Sequence, residues 1–586
     1  MHNHLHSAAR VNRIAGIPGL AWKDYPVFTT VPRTSFSCAR TSYGYYADIE
    51  TGCQVWHYCQ PDGRHNSFLC PNGTVFNQAT RVCDWCITLG AITLVVVCRT
   101  LLITPDRLDE YCNLDQQSSS SKHQSITPER GIFERFQQAL RFRTITRSPH
   151  NYNANETIQF INFLRTSFPR IHSSPLVRLD IINDLSLLYT INGFNPSLKP
   201  YMLLAHLDVV PVQENMWSVP PFDGVIKDGY IYGRGALDLK SVVMGIMESL
   251  EFMLEQSTPI ERTFYVAIGH DEEGRGLDGA AQIARWMVKH KMDQVEFILD
   301  EGPYIFRNAL PGVWRDVAMI GVAEKGLVNM KLTVNGNVGH SSVPPRETSI
   351  VRLARAVSRL HANSHPNRFG SGPERDMIEA LAPYSSMPYK LLYTNLWLFS
   401  PLVARLLEAD KLANSFIRTT TAVTIFSSGI KDNVLPGKAE ATVNHRIYPL
   451  NTVEDVIEQD RQLIDDPEVD VQVLGVAIEP HPISPYGSHS FGYQTIRRSI
   501  GQVFPNIAII PGMMYAATDT RWYLNFTNNI YRFSPGYLTL DNLNIVHGHN
   551  ERISESNYLK LVNFYHHVML NSNRARLDHP LMKDEF

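Results

Sequence analysis

Five short polar stretches constrain this chain more than any other feature: HLDVVP at His206, GRGALDLK at Asp238, GHDEEG at Glu272, ILDEG at Asp300 and HGHNE at His547. Each stands where the chain leaves an apolar run. YMLLAH, IYGRGALD, TFYVAIGH and VEFILDEG read as strands, and LKSVVMGIMESLEFMLEQ and GAAQIARWMVKH read as helices between or after them. NETIQFINFLRTSF places Ile158, Ile161 and Leu164 at helical spacing. The alternation predicts an α/β fold, a helix-covered mixed sheet. In such sheets the polar residues at the carboxyl ends of the strands share one rim.

The residue types on that rim suit a pair of divalent ions. Histidine nitrogen and carboxylate oxygen are zinc donors, and two Zn²⁺ ions sharing a carboxylate can drive hydrolysis. The period-2 alternation of a strand turns His206 and Asp208 to one face, so Asp208 can lie behind His206 and orient its imidazole. Asp238 sits between a glycine-rich turn and a long helix, where both of its oxygens can bridge two ions. Glu272 and Glu273 need different tasks if both face one pocket, one binding metal and the other moving protons. No cysteine follows Cys112, so ligands in this region are His, Asp or Glu.

At 586 residues the chain exceeds what one core usually fills and implies two or three domains. A net charge of -3, with no sustained basic run, gives no footprint for nucleic acid. Cys38, Cys53, Cys59, Cys70, Cys83 and Cys86 crowd into a segment too small to close a good core without disulfides. Residues 87–103 follow as an apolar stretch (ITLGAITLVVV, then LLI). It reads as a signal-anchor, as a signal peptide displaced by an upstream module, or as a buried core helix. NLDQQSSSSKHQSITPERG, residues 113–131, has linker composition, and the linker is expected over residues 104–129. Sequons at Asn72, Asn155 and Asn525 fit a secretory route and a glycoprotein. The expected location is extracellular, or membrane-anchored through residues 87–103.

Two resemblances sharpen this reading. TSYGYYADIETGCQVWHYC, LCPNGTVFN and RVCDWC resemble the peritrophin-A type of chitin-binding domain, over residues 30–86. That resemblance implies Cys38–Cys59, Cys53–Cys86 and Cys70–Cys83 bridges, Tyr45, Trp56 and Tyr58 as sugar platforms, and chitin as a partner. From residue 130 onward the chain resembles the di-zinc aminoacylase and carboxypeptidase family of metallopeptidases. Within it, the chain is similar to the group handling N-fatty-acyl amino acids, through WSVPPFDG, GHSSVPPRETSI, NVLPGKAEATVNHRI, ATDTR and the five stretches above. The family pattern implies a catalytic domain of residues 130–323 and 449–575, with a lid of residues 324–448. One Zn²⁺ would take His206, Asp238 and Asp300, the other Asp238, Glu273 and His547. Glu272 would be the general base, with Asp208 setting His206 and His340 donating to the carbonyl oxygen. Asn433, Arg446, Asp519 and Arg521 become substrate-binding candidates, with Thr518 a further wall residue.

The implied activity is hydrolysis of amide bonds in N-acyl amino acids, with reverse condensation. The apolar stretch with Leu391, Leu392, Trp397, Leu398, Phe399, Leu402 and Leu406 suits an acyl tail, or else internal packing or a homodimer face on the lid. Two alternatives stand beside it: a metallo-dipeptidase or carboxypeptidase, and a non-enzymatic chitin-binding matrix protein. Two departures from the family pattern are Leu239 after Asp238 and the ATDTR variant.

Overall fold

A computed structural model describes residues 27–72, 74–78, 81–85, 89–104, 125–307, 310 and 312–573. The chain divides into two compact units, Met1–Ile103 with Leu391–Pro401, and Thr104–Lys390 with Leu402–Phe586.

The larger unit is built on a ten-stranded mixed sheet. Its centre is parallel: Phe264–Gly269, Tyr201–His206, Ile298–Asp300 and Ile530–Arg532 lie side by side. Antiparallel strands, among them Ser186–Ile191 and Val177–Ile182, extend it. Every residue of Tyr201–His206 and Phe264–Gly269 is buried, because helices cover both faces. Alternate residues divide between two cores: Tyr201, Leu203 and Ala205 join one, Met202 and Leu204 the other. On the first face the helices Lys240–Glu255 and Glu555–Ser572 pack closely at Gly245, where an added Cβ would lie 2.3 Å from Leu561 Cδ2. The helix Ala154–Ser167 forms as its spacing predicts, but its buried stripe is Thr157, Phe160, Ile161 and Leu164, with Ile158 turned outward.

A smaller four-stranded antiparallel sheet, ordered Thr420–Ser428, Lys438–Ile447, Gly326–Asn335 and Val469–Val473, forms the expected second layer. The helix Ser349–Ala362 buries Leu353, Ala356 and Leu360 against Leu332, Ala439 and Val443. The helix Val453–Ile464 starts from a capping box of Thr452 and Asp455. This layer continues past the boundary expected at residue 448. Val471 pairs with Leu332 and packs against its core, so the strand after that helix closes the small sheet instead of returning to the large one.

In the smaller unit, disulfides join Cys38 to Cys59 and Cys70 to Cys83, the pairings the chitin-binding resemblance implies. The third expected pairing involves Cys86, which lies outside the described residues, as do Cys112 and most of the linker. The apolar stretch forms the helix Leu89–Leu102, of 14 residues. At about 1.5 Å per residue that is about 21 Å, against about 30 Å of bilayer hydrocarbon. Among the described residues no helix is long and apolar enough to cross a membrane. Thr100 is buried, and its hydroxyl oxygen accepts from Asn395 Nδ2 at 3.0 Å.

Candidate active site

His206 ends its strand, and its Nδ1 lies 3.0 Å from the Asp208 carbonyl oxygen and 3.3 Å from Asp208 Oδ1. Both neighbours are acceptors, which places the proton on Nδ1 and frees Nε2. That Nε2 stands 3.1 Å from Asp238 Oδ1. The other oxygen of Asp238 lies 2.9 Å from His547 Nε2, so this carboxylate presents one oxygen to each imidazole. His547 Nε2 is also 3.1 Å from Glu273 Oε1. The two Asp208 oxygens accept from the backbone N–H groups of Glu272 (3.0 Å) and Glu273 (3.2 Å). One buried carboxylate therefore fixes both the imidazole and the acidic turn. Glu272 in turn accepts from Arg521 Nη2 at 3.0 Å.

Asp300 is buried at the end of its strand, beside Glu301. Its Oδ1 takes the N–H of Glu301 at 2.9 Å, while Glu301 Oε1 stands 3.7 Å from His206 Nε2. Asp300 Oδ2 is buried without a hydrogen-bond partner, and the Asp300 carboxyl, raised to about 6 by burial, feels the charge of His206, so both acids of the DEG stretch lie at the cluster. The donor atoms form two groups, His206 with Glu272 and Glu301, and Asp238 with Glu273 and His547, each within 4.8 Å of one another.

These groups fit divalent cations. Glu273 Oε1 is buried without a hydrogen-bond partner. Burial and Asp238 push the Glu273 carboxyl up to about 7 and raise Glu301 well above the usual carboxylate range. Burial and Asp519 raise Glu272 in the same way, against the pull of Arg521. The Asp238 and Glu273 carboxylates beside its Nε2 push His547 up to about 10. Burial works to lower His206, but Asp208 and Asp238 outweigh it. Protons alone balance this crowd of acids poorly, and the charge of a bound metal would relieve it.

Two residues of the site's frame escaped the sequence reading. Glu551 is fully buried and accepts from the backbone of Leu237 (2.7 Å), Asp238 (3.0 Å) and Gly235 (3.2 Å). Arg234 pairs with it at 2.6 Å and donates to the carbonyls of His547 (3.0 Å) and Gly548 (2.9 Å). The pair ties the Asp238 turn to the His547 loop. Its signal was a charge inside each of two site motifs, Arg234 in GRGA and Glu551 in HGHNE.

Asp519 is buried near Arg521, with its carboxyl pushed up to about 8 by burial. Arg446, on the small sheet, is close enough to Arg521 and Glu324 to feel their charges. Thr518 serves another purpose: its hydroxyl donates to Glu324 at 2.7 Å, bracing the buried Glu324–Arg532 pair. His340 and Asn433 are not gathered into the cluster. Both are exposed at a two-stranded ribbon, where His340 Nδ1 takes the Ser342 N–H at 3.1 Å.

In the small module, Tyr45 and Tyr58 pair across adjacent strands and stack at 4.7 Å. Trp56 and Phe68 extend the same face, stacked at 4.4 Å.

A mixed sheet whose strand ends bring two imidazoles and several carboxylates around one shared aspartate defines a metal-dependent hydrolase. The comparisons with known proteins agree. Residues 202–571 match the model of Peptidase family M20/M25/M40, and the chain belongs to that family of metallopeptidases and amidohydrolases. Residues 38–89 match the Chitin binding Peritrophin-A domain. The chain is 41% identical over 490 residues to the N-fatty-acyl-amino acid synthase/hydrolase of Xenopus tropicalis, covering 83% of this chain and 95% of that protein. The Mus musculus protein of the same description is 43% identical, over 75% of this chain and 88% of its own length. A probable carboxypeptidase S-like 2 of Dictyostelium discoideum is 37% identical, over 81% and 88%. Among solved structures, the metallo-carboxypeptidase Sso-CP2 from Sulfolobus solfataricus shares the fold at a TM-score of 0.55 and 17% identity, covering 76% of this chain and 99% of that one.

Proposed function

We propose that this enzyme hydrolyses the amide bond of N-fatty-acyl amino acids, and condenses the same fatty acid and amino acid when both are abundant. The observation that carries the reading is Asp238 offering one oxygen toward His206 and the other toward His547. The ligand set is His206, Asp238 and Asp300 for one Zn²⁺, with Glu301 close by, and Asp238, Glu273 and His547 for the other. When bound, the ions supply Lewis acidity at neutral pH. Glu272 takes a proton from the attacking water and returns it to the departing amine as the C–N bond breaks. Arg521 and the two backbone bonds to Asp208 hold that carboxylate in place. Arg446 binds the amino-acid carboxylate as a bidentate pair.

The acyl preference rests on the relatives that act on N-fatty-acyl amino acids. The carboxypeptidase S-like relative favours a second reading, cleavage of free peptides. Turnover of N-oleoyl-phenylalanine at least tenfold above that of free dipeptides supports the first; comparable rates remove it. Outside the cell, Tyr45, Trp56 and Tyr58 would hold chitin by stacking on its sugar rings. The oxidised full chain should then be retained on chitin beads and its Tyr45→Ala/Tyr58→Ala variant should not. Exposed Val423, Ile425 and Phe426 on the edge strand Thr420–Ser428 suit a homodimer contact through the lid.

A further inference from the structure

Three side chains far apart in sequence meet inside the small layer: His365 after the helix Ser349–Ala362, His445 on the strand Lys438–Ile447, and Asp460 on the helix Val453–Ile464. Their exposures are 4%, 0% and 1%. His365 Nε2 lies 3.3 Å from Asp460 Oδ1, and His445 Nε2 lies 2.8 Å from Asp460 Oδ2. Neither approach has hydrogen-bond geometry, so both Nε2 atoms and both carboxylate oxygens are buried without a partner among the described residues. Leaving four such atoms unmet is costly, and a hydrogen-bonded cluster gains nothing from that arrangement.

A cation resolves it. We propose that His365, His445 and Asp460 form a structural site for Zn²⁺ or a similar borderline divalent metal, distinct from the catalytic cluster and independent of the chemistry assigned there. Neighbouring tetrahedral ligands about 2.0 Å from one ion stand about 3.3 Å apart, close to the separations found. The imidazole rings are 87° to one another, as two rings around one centre can be. Thr421 Oγ1 lies 3.2 Å from His445 Nδ1, and in the tautomer where Nδ1–H donates to it, Nε2 keeps the lone pair a metal needs. Asp460 turns one oxygen to each imidazole, so three side chains offer nitrogen and oxygen donors of the kind zinc takes. The ion joins strand, helix and loop. Strand alternation turns His445 inward while Arg446 faces the other way, toward Arg521.

The test is the metal content of the purified full chain by mass spectrometry, for the wild type, His445→Phe, Asp460→Asn and His547→Ala. Each lid variant should hold one zinc fewer than the wild type, whatever the catalytic cluster holds, and His547→Ala should keep the lid ion. Equal zinc in the wild type and folded lid variants would overturn the proposal. Because those variants could misfold, His445→Cys loaded with Co²⁺ provides a second arm. A near-ultraviolet thiolate-to-cobalt absorption is expected, and its absence from protein with wild-type circular dichroism also overturns the site.

Discussion

Replacing Glu551 with Gln tests the frame of the active site without touching a proposed metal ligand. Glu551 Oε1 accepts from the N–H groups of Leu237 and Asp238, and Oε2 from Gly235 and Arg234. The variant's amide retains one accepting oxygen and turns its NH₂ toward two donors. It also leaves the Arg234 guanidinium, 2% exposed, without its counter-charge. Breaking a buried pair by removing one partner costs about 3–5 kcal/mol. Arg234 also holds the carbonyls of His547 and Gly548, so the loss spreads to both sides of Asp238. We expect urea denaturation to show a loss of about 3–5 kcal/mol in the larger unit. Competition against a chelator should show metal affinity lowered by about 10–100-fold, as for other residues that orient ligands. A stability change under about 1 kcal/mol with unchanged metal affinity would refute the argument, since surface-like substitutions stay in that range.

Three further outcomes follow from the same geometry. Glu272→Gln should keep its metal and lose about 10²–10⁴-fold in kcat, and retained turnover contradicts its role as base. Arg446→Ala should raise KM for N-acyl amino acids about 10–100-fold, the worth of a charged hydrogen-bonded pair; an unchanged KM removes Arg446 from the substrate site. Lys325 is buried, donates to the carbonyls of Ser415 and Arg418, and is pushed down to about 7 by burial and by Arg446. Between pH 7 and 10.5 the unfolded chain binds a proton there that the folded one does not, so stability rises with pH across that window. Lys325→Met should flatten this rise, and unfolding midpoints at pH 7 and 9 measure it.

The legible parts of the fold were those carried by local pattern. The strands at Tyr201 and Phe264 and the helix at Lys240 announced themselves by apolar runs and periodicity, and the rim they create follows from parallel packing. His206, Asp208, Asp238, Glu272, Glu273 and His547 are drawn together there. The place of Glu301 was beyond local pattern, because it follows Asp300 at the strand end and only the fold brings its Oε1 to 3.7 Å from His206 Nε2. Arg234 and Glu551 act on backbone groups brought close by the fold, a partnership across 317 positions that neither motif shows on its own. The small layer overran its expected end for a similar reason. VDVQV alternates like any half-buried strand, and only tertiary pairing assigns it to a sheet.

The account turns on paired ions around Asp238, and anomalous diffraction at the zinc edge addresses that directly. Two peaks about 3.5–4 Å apart are expected, one beside His206 and Asp300, the other beside Glu273 and His547, with Asp238 between them. A single peak, or peaks that Asp238 does not touch, would contradict it.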